Sequence, residues 1–161
     1  MWLEELYKIN KELDKEFIQK YHANEEVMRD KNILSLLTEI GELANETRCF
    51  KYWSIKPKSS DEIILEEYAD VLIMVLTFSN YLKADIRYVM DDLKYRTLEE
   101  QFIVLYSSVC TLKENYSSDN IIRILGKVLT LGYSLGYNEE QIKDACLKKM
   151  QIVNKRLHSN Y

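Results

Sequence analysis

Proline is nearly absent from this sequence and glycine is scarce, with one and four respectively among 161 residues. Together they make about 3% of the chain, against roughly 12% in average usage, which excludes collagen-like, linker-rich and turn-rich all-β designs. Cysteine is also sparse. Cys49, Cys110 and Cys146 are odd in number, widely spaced and without a C-x-x-C pair, so they read as reduced thiols of a cytoplasmic protein. No run of 18 uninterrupted apolar residues is present, and Met1-Trp2-Leu3-Glu4-Glu5 places acids where a signal peptide needs basic then apolar residues. The expectation is therefore no membrane partner. An excess of positive charge is lacking too: the formal net charge is −4, and Lys and Arg are scattered singly or in pairs. That argues against a nucleic-acid partner, which would require a basic surface. What remains is a composition 47% hydrophobic and 30% charged, ordinary for a globular domain and too apolar for a disordered chain. The length suits one domain, residues 1–161.

Helical spacing dominates that domain. Leu3, Leu6, Tyr7, Asn10, Leu13, Asp14 and Phe17 follow the i, i+3, i+4, i+7 rule and predict a helix over about 2–20. Asn24 caps a second helix running to about Cys49, with Val27, Ile33, Leu36, Leu37, Ile40, Leu43 and Ala44 on its apolar side. The single proline lies in Lys56-Pro57-Lys58-Ser59-Ser60, a loop whose serines cap a third helix from Asp61-Glu62 to about Leu82. From Val71 to Phe78 that helix is apolar nearly all round, as expected of a helix in the middle of its domain. Residues 83–97 read as a short helix with connections, and 98–114 as an amphipathic helix. Ser117-Ser118-Asp119 caps a helix over about 121–135, and Asn138-Glu139-Glu140-Gln141 opens the last one with a capping box. The fold class is an all-α bundle whose second and third helices are central.

Those two helices carry the chemistry. Glu39, Glu42 and Glu46 lie within about 60° of one another on the second, and Glu67 and Asp70 are about 60° apart on the third. Acids spaced three apart also arise by chance, and most are solvated or paired with Lys and Arg. The second pair resists that reading, because Glu67 and Asp70 share an arc with Ile63, Val71, Met74 and Phe78. A carboxylate on a core-facing arc costs several kcal/mol unless it is paired or metal-bound, and no Lys or Arg lies within a helical turn on that face. Four such acids in one pocket call for a divalent cation. An all-oxygen set without clustered His or Cys selects Mg²⁺ first and Mn²⁺ second, and carboxylate-held Mg²⁺ keeps positions open for water and substrate phosphates. A four-helix iron site would need Glu-x-x-His pairs, which neither His22 nor His158 provides.

The pattern Glu39-x-x-Glu42 followed by Glu67-x-x-Asp70 resembles the metal-binding motif of the all-α nucleoside triphosphate pyrophosphatases, the MazG-like superfamily. Within it, Leu36-Leu-Thr-Glu-Ile-Gly-Glu-Leu-Ala-Asn-Glu-Thr-Arg-Cys-Phe-Lys-Tyr-Trp-Ser54 resembles the dimeric dUTPases, a much more specific match than the acid pairs. Leu6-Tyr7-x-x-Asn10-x-x-Leu13-Asp14 and Leu131-Gly132-x-x-Leu135-Gly136-Tyr137, with Ala145 and Lys149 beyond, are similar to the same branch. The resemblance implies a homodimer that hydrolyses dUTP to the monophosphate and pyrophosphate. By position it implies that Glu39, Glu42, Glu67 and Asp70 hold Mg²⁺, with Glu39 also activating water and Glu46 assisting a further ion. It likewise implies that Lys51, Lys149 and Arg156 meet phosphates, that Trp53 walls the nucleotide site, and that Asn10 lies near the base or sugar.

The departures fall on the base-reading half. Asn10 stands where the branch usually has Gln, and Val71-Leu72-Ile73-Met74 replaces a Gly-x-His-Phe-type run. Met150 follows Lys149 where Asn is usual, and Asn154 is displaced. Hydrolysis of a triphosphate, dUTP first, is the expected activity. A related pyrophosphohydrolase with another base preference, a helical module taking up a cation or partner without turnover, and a merely structural helical dimer are the alternatives.

Overall fold

The computed structural model describes residues 1–89 and 96–159. Among the described residues six α-helices carry the fold and no strand occurs. They are α1 (Trp2–Tyr21), α2 (Glu25–Thr47), α3 (Asp61–Tyr81), α4 (Leu98–Cys110), α5 (Ser118–Ser134) and α6 (Glu139–Leu157). A short 3-10 turn, Ile86–Tyr88, falls within the expected irregular stretch, whose residues 90–95 lie outside the described ones. The helix expected over 98–114 is split, because α4 ends at Cys110 and Thr111–Lys113 tightens into a 3-10 turn.

The starts follow local chemistry. Asn24, Ser60, Ser117 and Asn138 each accept a hydrogen bond from the backbone N–H three residues on, which satisfies a donor the helix cannot use itself. Thr97 with Glu100, and Asn138 with Gln141, close reciprocal capping boxes. His22 and Arg48 end α1 and α2 in the left-handed conformation, at φ 49° and 57°.

The core forms around α3, which packs on α1, α2, α5 and α6. Its Ile64, Tyr68, Val71, Leu72, Val75, Leu76 and Phe78 are buried, and Leu36, Ile40 and Leu43 of α2 meet them. Such a helix gains its stability from burial, about 1.5–3 kcal/mol for each large apolar side chain. Phe17 of the α1 stripe and Ile63 of the α3 arc, both expected on the core side, are each 43% exposed, and a third apolar position departs further. Val27, in the first turn of α2, is 71% exposed, because the helical repeat there runs on past the end of the packed interface.

Gly132 of α5 packs against Tyr68 of α3. A Cβ there would stand 2.5 Å from the hydroxyl of Tyr68, a fully buried ring whose O–H donates to Val128 O at 2.8 Å. Alanine is the better helix former by about 1 kcal/mol, yet overpacking a core costs about 1–3 kcal/mol. Gly132→Ala is therefore expected to lower the melting temperature, by about 2–4 °C for each kcal/mol lost. A thermal melt beside the wild type checks it, and an unchanged or raised midpoint would contradict this close packing.

Candidate metal and nucleotide site

Antiparallel packing of α2 on α3 brings Glu39 to Glu67 and Asp70. One carboxylate oxygen of each lies within 4.8 Å of the other two. Glu42 is exposed and outside that trio, although it hydrogen-bonds Glu39 one turn away. The mutual repulsion is visible in the proton affinities. Burial first, then Asp70, Glu42 and Glu67, push the Glu39 carboxyl up to about 7. Glu67 is raised by burial and by Asp70, and Asp70 is raised by burial against the pull of Lys149.

Lys149 is the feature the helical wheel could not supply. Its Nζ comes from α6 to lie 2.8 Å from Asp70 Oδ2 and 3.4 Å from Glu66 Oε1. Burial pulls the ammonium down, but its bond to Asp70 and the nearby charge of Glu66 outweigh it and hold it above its ordinary value. The core-facing arc of α3 thus has a cationic partner after all, from a helix distant in sequence. Outside Lys149, an open groove of about 630 Å³ runs between α3 and α6 past Glu62, Glu66, Asp144 and Lys148.

A second feature lies further along the same three helices. A cavity of about 190 Å³ is lined by Asn10, Asp14, Phe17, Met74, Thr77 and Tyr81, among others. Seven residues of α3 separate Asp70 from Thr77, and seven of α2 separate Glu39 from Asn32 in the lining, about 10 Å in each case. On α6, Val153 in the lining lies one turn beyond Lys149, about 6 Å along the axis. Asn10 is buried and donates to Thr77 Oγ1 at 3.0 Å and to Asp14 Oδ2 at 3.3 Å. Thr77 Oγ1 and Asn80 Nδ2 donate to Asp14 at 2.9 and 3.2 Å. Burial pushes the Asp14 carboxyl up to about 6, with the bonds from Thr77 and Asn80 pulling the other way. Sequence reasoning passed over Asp14, Thr77 and Asn80 as site residues. The signal was two polar residues, Asn10 and Asp14, one helical turn apart on an otherwise apolar stripe. Ile73 and Met74 line the cavity, and Met150 is buried in the core.

The remaining candidates have contacts of their own. Glu46 accepts from Ser59 Oγ and so ties the loop after α2 rather than facing the other acids. That loop is folded on Arg48, whose guanidinium donates to Ser54 Oγ at 2.7 Å and to Lys56 O at 3.2 Å. Lys51 lies over the Phe50 ring, and Trp53 is 66% exposed, edge-on to Phe50 and Tyr52. Arg156 and Asn154 are exposed near the end of α6. Among the described residues, neither Lys51 nor Arg156 pairs with an acid of the trio.

Three carboxylates so close, all oxygen donors with one tethered ammonium beside them, fit a hard divalent cation better than any other neutralising group. An adjoining apolar cavity with a polar floor fits the flat end of a small ligand. The family described as dUTPase, in its second type, matches residues 2–161. The chain belongs to the type 2 dUTPase family. This dUTPase-family chain is accordingly an enzyme of the dUTP diphosphatase class, acting on a nucleoside triphosphate. No individual curated protein is similar enough to match it. None of its described helices is long and apolar enough to cross a membrane.

Proposed function

We propose that residues 1–161 form one cytoplasmic domain that hydrolyses dUTP, in preference to other nucleoside triphosphates, to the monophosphate and pyrophosphate with Mg²⁺. The observation that carries this reading is the pairing of the Glu39, Glu67 and Asp70 trio with a small cavity about 10 Å along the same helices. Phosphates at the trio and a base in the cavity use both ends. At about 190 Å³ the cavity is below the 300–1,000 Å³ typical of whole-ligand pockets, which suits a single ring.

Glu39, Glu67 and Asp70 would hold the cation, with Glu42 completing the set from the turn beyond Glu39. When bound, Mg²⁺ supplies neutralisation of the leaving pyrophosphate and polarisation of the attacking water. Glu39 orients that water and takes its proton; without metal its carboxyl is raised to about 7, by burial first and then by its acidic neighbours. Lys149 donates to phosphate oxygens from a site that is acidic apart from itself. Lys51 and Arg156 meet the outer phosphates, Glu46 assists a further ion, and Trp53 walls the nucleotide. Asn10, on the floor of the cavity, touches the base. A panel of nucleoside triphosphates with Mg²⁺, scored for monophosphate and pyrophosphate, tests the reading. Pyrophosphate release fastest from dUTP is expected; no release from any of them would leave a helical binding module.

The same reading includes a homodimer. Phe50, Tyr52, Trp53 and Ile55 are exposed on the loop after α2, as are Val27, Leu34 and Ile103 on α2 and α4. That is more apolar surface than scattered single residues explain. Sedimentation at micromolar concentration should give a mass near twice 19.2 kDa, and a monomer's mass would contradict it.

A further inference from the structure

The cavity has a charged floor, which is unusual for a pocket reading a neutral ring. Asp14 is buried, and the groups that bond it, Asn10, Thr77 and Asn80, are all neutral donors. The innermost donors are spent within this network. Asn10 Nδ2 places its hydrogens on Asp14 and Thr77, and the Thr77 hydroxyl gives its own to Asp14. An ionised carboxylate has about four lone-pair positions, and these bonds occupy three. What the floor offers to a ligand is therefore an acceptor. Asn32 and Tyr81, also in the lining, carry donors that could meet a ring carbonyl.

We propose that Asp14 reads an N–H on the hydrogen-bonding edge of the pyrimidine, so that this chain hydrolyses dCTP alongside dUTP. The inference rests on the functional reading above and extends it to the residue that sets its breadth. Uracil presents the N3–H to such an acceptor, and cytosine presents the exocyclic N4–H₂. A carboxylate accepts from either and rejects neither. Discrimination then falls to the apolar walls, Phe17, Met74 and their neighbours, and such walls separate similar ligands by only about 10–200-fold. An amide at this position would act differently. Asn10 and Asn80 donate to Oδ2 and Thr77 to Oδ1, so an amide there keeps its oxygen at the Oδ2 position and sets its NH₂ at the Oδ1 position, with one hydrogen on Thr77 Oγ1 and the other left for a ligand. That NH₂ meets the O4 of uracil and opposes the N4–H₂ of cytosine.

The test compares kcat/KM for dUTP and dCTP in the wild type and in Asp14→Asn, with Mg²⁺ at pH 8, where the Asp14 carboxyl is ionised. The wild type should favour dUTP over dCTP by less than about 200-fold. Asp14→Asn should widen the dUTP-to-dCTP ratio in kcat/KM by tenfold or more, with dCTP losing more than dUTP does. A second measurement does not depend on the variant's folding: the triphosphate of pyrimidin-2-one deoxyriboside has no N–H on that edge. It should be turned over by the wild type at least 100-fold less efficiently than dCTP. A wild-type preference above about 10⁴, a ratio unchanged by Asp14→Asn, or equal turnover of the pyrimidinone nucleotide would each overturn the role of Asp14 while leaving the hydrolase reading intact. Absence of pyrophosphate from every nucleotide would overturn that reading and this inference together.

Discussion

Glu67→Gln should reduce pyrophosphate release by at least about a thousandfold and yet leave the metal-free protein more resistant to heat than the parent. The two effects share one cause. Glu39, Glu67 and Asp70 crowd three carboxylates into a partly buried space, and their proton affinities rise through burial first and then through neighbouring acids, Asp70 and Glu42 acting on both Glu39 and Glu67. An amide at 67 keeps the shape and removes one charge, relieving repulsion before any cation arrives. It also removes an anionic ligand that the bound cation needs, so chemistry fails. Asp70→Asn should lose activity equally without gaining stability, because its carboxylate is also the 2.8 Å partner of Lys149. The pH dependence has a definite sign. Glu39 is raised from 4.5 to about 7, so between those values the folded protein binds its proton more tightly than the unfolded chain does. Stability without metal therefore falls as pH rises through that window, and Glu67→Gln should flatten the fall. Melting curves at pH 5 and 8, with and without Mg²⁺, read all of this. A Glu67→Gln protein that still turns over dUTP would remove Glu67 from the metal site.

What could be read from the chain beforehand was whatever depends on near neighbours. Asn24, Ser60, Ser117 and Asn138 fixed where helices begin, because capping is a bond across three residues. The acidic arc of α3 was legible because Glu67, Asp70, Val71 and Met74 lie within about two turns of one helix. Lys149 was legible by family resemblance but not as the partner of Asp70, since that contact exists only once α6 lies against α3. The network of Asp14, Thr77 and Asn80 joins α1 to α3 in the same way. A lone acid on an apolar stripe announces that something polar must face it, and not which helix will bring it. Val27 errs in the other direction: periodicity marks a face, while burial needs a neighbour to extend that far.

Lys149→Met should separate the two things this side chain does. In the metal-free protein its ammonium is the counter-charge of Asp70 and Glu66, held where its side chain is only 16% exposed. Methionine keeps most of the length and apolar contact of the stem while deleting the charge. Breaking a fully buried pair costs about 3–5 kcal/mol, and exposed pairs contribute about 0–1 kcal/mol. An intermediate site should therefore lose about 1–3 kcal/mol, a fall of several degrees in the metal-free melt. Binding of Mg²⁺ by the free protein should move in the opposite direction and tighten about tenfold, since no tethered cation then competes for Asp70. Catalysis should still fall, by about a hundredfold or more in kcat/KM, because the charge-assisted bond to the phosphates is gone. Calorimetric titration with Mg²⁺ in the absence of nucleotide distinguishes this from general damage, which weakens metal binding and stability together. Unchanged or weaker Mg²⁺ affinity would show that the Lys149–Asp70 pair does not stand in the cation's place.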